Sequence, residues 1–175
     1  MTRVYPGTTF WSEVSPKGSH VTVLILGIGN SLLSDEGAGI HAIRYLEQYH
    51  ADAPGVRYLD GGTIGFPLAG EIAASDSLIV IDAAELGEDI GEIGFFEGES
   101  MDNFLGSQRK SSVHEVGLRD LLSTSQLLDE LPSKRALLGI QPKTVSWGEE
   151  PTAAVAAAIP KVCKMALELV ERWKI

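Results

Sequence analysis

The stretch Leu24-Ile25-Leu26-Gly27-Ile28-Gly29-Asn30-Ser31-Leu32-Leu33-Ser34-Asp35-Glu36-Gly37-Ala38-Gly39 reads as a buried strand, a glycine turn, an apolar loop and two adjacent acids opening a helix. Val21 to Leu26 is continuously β-branched or apolar. That is the pattern of a central parallel strand covered on both faces. Gly37 to His50 then has helical periodicity, with Ile40, Ala42, Ile43, Leu46 and Tyr49 on one side and His41, Arg44, Glu47 and Gln48 on the other. Acids at a helix start, beside the C-terminal end of a strand, are placed to meet a ligand rather than the core.

Working outward, Val56-Arg57-Tyr58-Leu59-Asp60 is a second short strand, ending in Gly61-Gly62-Thr63-Ile64-Gly65. Phe66 to Ala74 is a short helix, and Ser77 to Asp82 a third strand, apolar until it meets an acid. Strand, helix, strand, helix, strand at this spacing predicts a doubly wound α/β fold whose right-handed crossovers make the strands parallel. Gly91 to Glu97 is a fourth strand, reached through a link too short for a helical crossover, so it is predicted antiparallel. Gly98 to Ser111 reads as a polar loop, and Ser112-Val113-His114-Glu115 as a capping box opening the next helix. Arg135 to Ile140 is a fifth strand. A closing helix from Thr152 to Trp173 carries one apolar stripe and Pro160, which is predicted to kink it. The expected architecture is a three-layer, doubly wound, mostly parallel five-stranded sheet with one antiparallel strand and helices on both faces. It forms a single domain over 21–175, preceded by a mobile N-terminal arm over 1–20.

The chain has 175 residues and a net charge of −10 without a basic stripe. This disfavours binding to nucleic acid or to an anionic membrane surface. It suits a cationic substrate, a metal or a basic partner segment. The one cysteine, Cys163, lies among apolar neighbours and reads as a structural thiol. It can make neither an internal disulfide nor a cysteine-cluster zinc site. No apolar run is long enough to span a bilayer, so no membrane insertion is expected. The first 20 residues lack the apolar core of a signal peptide, and a cytoplasmic location is expected.

Gly27-Ile28-Gly29 after a strand suggests a dinucleotide fingerprint, and Asp60 ends the next strand as a ribose-binding acid would. Against this, the third glycine of the pattern would fall at Leu32, and Asp35 and Glu36 would repel a pyrophosphate at the helix start. A nucleotide-binding α/β domain is therefore an alternative reading. Asp35 and Glu36 follow the first strand, Asp60 ends the second and Asp82 the third, so the acids share one sheet edge. Carboxylates gathered there repel one another unless a cation or proton sits between them. Asp35 reads equally well as an ordinary helix cap. Of the four histidines, His20, His41 and His50 read as solvated, whereas His114 occupies the first turn of a capped helix, where the dipole favours neutral imidazole. Glu36, Asp82 and His114 would make a carboxylate, carboxylate, imidazole set with open positions, suited to nickel or zinc.

Five segments in order resemble the hydrogenase maturation endopeptidase family: Gly27-Ile28-Gly29-Asn30 with Asp35-Glu36-Gly37-Ala38-Gly39, then Asp60-Gly61-Gly62-Thr63, Ile81-Asp82-Ala83, Ser112-Val113-His114-Glu115-Val116-Gly117-Leu118, and Gly139-Ile140-Gln141-Pro142. The resemblance covers about residues 21 to 173. It implies a nickel-dependent protease that removes the C-terminal extension of the large subunit of a nickel–iron hydrogenase. The partner is then a hydrogenase large-subunit precursor already carrying nickel, and that nickel serves for recognition. The resemblance assigns Glu36, Asp82 and His114 to the metal and to catalysis, and zinc or cadmium could occupy the same site in a crystal. Asp60 and Asp35 are candidates for the general base, and Gly61, Gly62 and Thr63 for substrate binding. One departure is Ile90-Gly91-Glu92, where the family often has Pro-Gly; it touches a turn. The alternative within the same resemblance is a non-catalytic module that binds metal or precursor.

Overall fold

The computed structural model describes residues 22–63, 67–107 and 113–174, with side chains except at 67, 107 and 113–116. The expected arm over 1–20 and the capping residue Ser112 lie outside the described residues. Five strands form one sheet: β1 (Val23–Gly27), β2 (Val56–Asp60), β3 (Ser77–Ala83), β4 (Ile93–Glu97) and β5 (Lys134–Ile140). Their order is β2-β1-β3-β5-β4, with only β4 antiparallel. The helices are α1 (Ala38–Tyr49), α2 (Pro67–Ala73), α3 (Glu99–Ser107), α4 (Val113–Leu127) and α5 (Ala153–Trp173).

Side-chain alternation along the central strands divides the core in two. Val23, Ile25, Ile79, Ile81, Ala136 and Leu138 point to one face and pack against α1 and α5. Leu24, Leu26, Leu78, Val80 and Leu137 point to the other, under Leu68 and Ile72 of α2, Met101 and Leu105 of α3, and Leu118 and Leu122 of α4. β1 and β3 are buried throughout because both faces are covered, which is why they read as unbroken apolar runs.

The structure differs from the sequence reading in several places. The stretch read as a polar loop contains α3, whose Met101 and Leu105 are buried at helical spacing; Gly98, Gly106 and the serines around them masked this short apolar stripe. Asp35 and Glu36 stand in a 3₁₀ turn, Ser34–Gly37, ahead of α1 rather than in its first turn. Tyr49, expected on the apolar side of α1, is exposed in the last turn of the helix, its ring 4.6 Å from that of Tyr45. α5 is continuous through Pro160, which faces solvent; the helix gives up one N–H there without ending.

Candidate active site at the carboxyl edge of the sheet

In an open α/β sheet a ligand binds beyond the carboxyl ends of the strands, where successive connections leave in opposite directions. From β1 the chain crosses to β2 on one side, and from β2 it returns to β3 on the other. The switch point therefore lies between β1 and β3, bridged by the Ile28 N–H donating to the Ile81 carbonyl at 2.9 Å. Glu36 follows β1 and Asp82 is the penultimate residue of β3, so the two acids flank this crevice.

The local backbone explains how Glu36 is presented. Gly29 has φ 136°, and a Cβ there would run into the carbonyl oxygen of Glu36. A Cβ at Gly39 would collide with the carbonyls of Ile28 and Ile81. Glycine at these positions lets the acidic turn fold down onto the strand ends. Glu36 is half-buried, with Oε2 shut off from solvent. Asp82 is 2% exposed and continues the row of Leu78 and Val80; its Oδ1 accepts the Ala83 N–H at 2.8 Å. His114 lies in the first turn of α4, the helix that packs on this same face. Since α4 leads down to the amino end of β5, its first turn stands at the carboxyl edge. The His114 side chain is outside the described residues, as is the capping partner Glu115. Among the described side chains no group of three His, Cys, Asp or Glu could hold a metal.

Asp35 has a different task from its neighbour. It is 0% exposed, and its carboxylate accepts four hydrogen bonds from the loop after β5: Lys143 N–H at 2.9 Å, Thr144 N–H at 3.3 Å, Thr152 N–H at 2.6 Å and Thr152 Oγ1 at 3.0 Å. With both oxygens taken up by these buried hydrogen bonds, the carboxylate has none to spare for activating water. The candidacy of Asp35 as general base is thereby corrected, as is its reading as a cap of its own helix. It stitches two loops and closes the start of α5. Ser34 continues the stitch: its N–H donates to the Gly148 carbonyl at 2.7 Å and its hydroxyl to the Ser146 carbonyl at 2.9 Å, while the Gly148 N–H donates to the Leu32 carbonyl at 3.0 Å.

Asp60 is exposed at the end of β2, and its Oδ1 accepts the Gly62 N–H at 2.9 Å. The Gly61 N–H donates to the Gly27 carbonyl at 2.8 Å, and the Gly62 carbonyl accepts the Gly29 N–H at 3.0 Å. The amide donors of Gly61 and Gly62, expected to serve a substrate, are thus spent inside the protein, and Thr63 is exposed. His41 is half-buried rather than solvated, and its Nε2 is buried without a hydrogen-bond partner among the described residues.

Gln141 is a residue to which sequence reasoning gave no role. It is 6% exposed; its Oε1 accepts the N–H groups of Leu86 at 2.7 Å and Gly87 at 3.0 Å, and its Nε2 donates to Glu85 at 3.2 Å. It fixes the loop that leaves β3 just beyond Asp82. The available signal was an amide side chain placed between the apolar end of a strand and a proline.

A family model described as hydrogenase maturation protease matches residues 40–169. The hydrogenase expression/formation protein HupD of Rhizobium leguminosarum bv. viciae is 33% identical over 154 residues, which is 87% of this chain and 76% of that protein. The hydrogenase 2 maturation protease of Escherichia coli strain K12 is 34% identical over 149 residues, 85% of this chain and 87% of that one. The solved structure of the hydrogenase maturating endopeptidase HybD from E. coli superposes with a TM-score of 0.79 at 31% identity, covering 87% of this chain and 93% of the other. With the sheet order, the acids at its switch point and these likenesses in agreement, the chain belongs to the hydrogenase maturation protease family.

Proposed function

We propose that this protein is a metal-dependent endopeptidase that removes the C-terminal extension from a nickel-loaded hydrogenase large-subunit precursor. The observation that carries the reading is the position of Glu36 and Asp82 on either side of the β1/β3 switch point, within the fold of a protease family. Both are drawn back from solvent, where carboxylates call for donors or a cation. The nickel arrives with the precursor and is part of the substrate. Two carboxylates and an imidazole are donor types that suit such a borderline ion. Glu36, Asp82 and His114 would hold it, and when bound it would polarise the scissile carbonyl.

The chain's other groups position and activate. Asp60, exposed on the same edge, is the acid left to take a proton from the attacking water, and Thr63 beside it contacts the substrate. Purified protein mixed with nickel-loaded precursor should release the C-terminal peptide, followed by mass spectrometry. Intact precursor, under conditions in which a related maturation protease processes it, would sink the proposal.

A further inference from the structure

The stitch between the Ser34 turn and the loop after β5 also presents an apolar rim. Leu32 is 49% exposed, Val145 58% and Trp147 85%. Their backbones are held together by the Gly148 N–H to Leu32 carbonyl bond, the Ser34 N–H to Gly148 carbonyl bond and a parallel bridge between Leu33 and Gly148. The loop is therefore fixed while its largest side chain stays in water. A tryptophan left this exposed carries a hydration cost that packing would remove. Holding its backbone in place in advance lowers the ordering entropy lost when a partner covers it. Leu32 lies three residues before Asp35 and four before Glu36, just ahead of the turn that carries both acids.

We infer that Leu32, Val145 and Trp147 form the docking ridge for the precursor, receiving a segment with an apolar or aromatic side chain followed by basic residues. The inference rests on the precursor-processing reading above. The apolar part of the occupant follows from the three exposed side chains. The basic part follows from Glu149 and Glu150, both exposed directly after Gly148, on a chain of net charge −10; Lys143 at the far end of the loop offsets one of these charges. Trp147 would act as the anchor, the residue type that most often dominates such contacts.

The experiment compares wild type, Trp147→Ala and Glu149→Gln/Glu150→Gln with nickel-loaded precursor, measuring affinity by titration calorimetry and cleavage by mass spectrometry. Trp147→Ala should fold as wild type, because it removes a side chain that packs on little. It should weaken precursor binding at least about tenfold, with the effect on KM larger than that on kcat. The double variant should weaken binding less and flatten its salt dependence. Wild-type binding and KM in Trp147→Ala, with wild type itself active, would overturn the ridge and leave the protease reading intact. Wild type that neither binds nor cleaves the precursor would overturn both. Sedimentation of the free protein as a dimer that Trp147→Ala dissociates would also overturn the inference, since a second copy would be the occupant.

Discussion

The two faces of the sheet are built to different ends. On one, α1 and α5 lie side by side over β1, β3 and β5, and α5 alone buries Val155, Ala158, Ile159, Val162, Cys163, Ala166, Leu169, Val170 and Trp173. On the other, three separate helices, α2, α3 and α4, share the cover, with Leu68 and Ile72, Met101 and Leu105, and Leu118 and Leu122 as their buried contributions. Asp82 continues the row on this second face, and α4 carries His114 in its first turn there. The first face holds the strands in place. The second trades a continuous cover for separate elements whose ends can surround a site, which fits the rule that functional groups sit on loops borne by a rigid scaffold.

The contrast is tested most sharply by the paired acids at the head of the crevice. Glu36→Gln and Asp82→Asn should each lower precursor cleavage on the order of 10³-fold, because a preorganised charge at the reacting centre is lost. Far-ultraviolet circular dichroism and the unfolding midpoint in urea should stay near wild type. A variant that cleaves normally removes the acid from the site, and one that unfolds shows that the second face also carries structural load.

Next in size is the acid beside them. Asp35→Ala strips the acceptor from three backbone N–H groups and the Thr152 hydroxyl, and should cost about 2–3 kcal/mol in urea unfolding. Asp35→Asn keeps an acceptor oxygen and should cost less. Both should speed amide hydrogen exchange at Lys143, Thr144 and Thr152, since these donors lose their partner. If Asp35→Ala is as stable as wild type while cleavage alone is lost, the stitch is not structural and Asp35 returns as a catalytic candidate.

Adjacent Asp35 and Glu36 also show where the sequence was legible. The central strands β1 and β3 were readable because burial on both faces leaves an unbroken apolar signature, and β4 because its approach is too short for a crossover. The acids could be assigned to one edge because strand ends in a doubly wound sheet share an edge. Which of two neighbouring acids faces the crevice and which faces a loop more than a hundred residues away is decided by the 3₁₀ turn, and a turn of four residues leaves no periodicity to read. α3 escaped for a related reason: two buried apolar residues within nine positions, flanked by glycine and serine, look like a loop until β4 and β5 supply the surface they pack on. Gln141 is the converse case, a buried polar side chain whose partners lie some fifty residues earlier, where no local pattern points to them.

The smallest effect near neutral pH belongs to the first face, through Cys163. Its thiol is 0% exposed between α5 and α1, with Sγ 3.4 Å from the Ala42 carbonyl oxygen, and burial pushes its pKa up to about 12. A maleimide or aromatic disulfide should therefore label it only as fast as the protein opens. The linkage has a definite sign. The unfolded thiol loses its proton near pH 8.5, while the folded one keeps it to far higher pH, so above about pH 9 the folded state binds more protons than the unfolded state. Stability from this group is complete below that range and falls as pH rises through it. Tyr58 is also raised, first by burial and then by the Cys163 charge. The informative quantity is therefore the difference between wild type and Cys163→Ala in the pH dependence of urea unfolding, which should be nil at pH 7 and grow above pH 9. Rapid labelling of the native protein at neutral pH would break the comparison outright, because it would mean that the face on which α1 and α5 close is as open as the one that bears the acids.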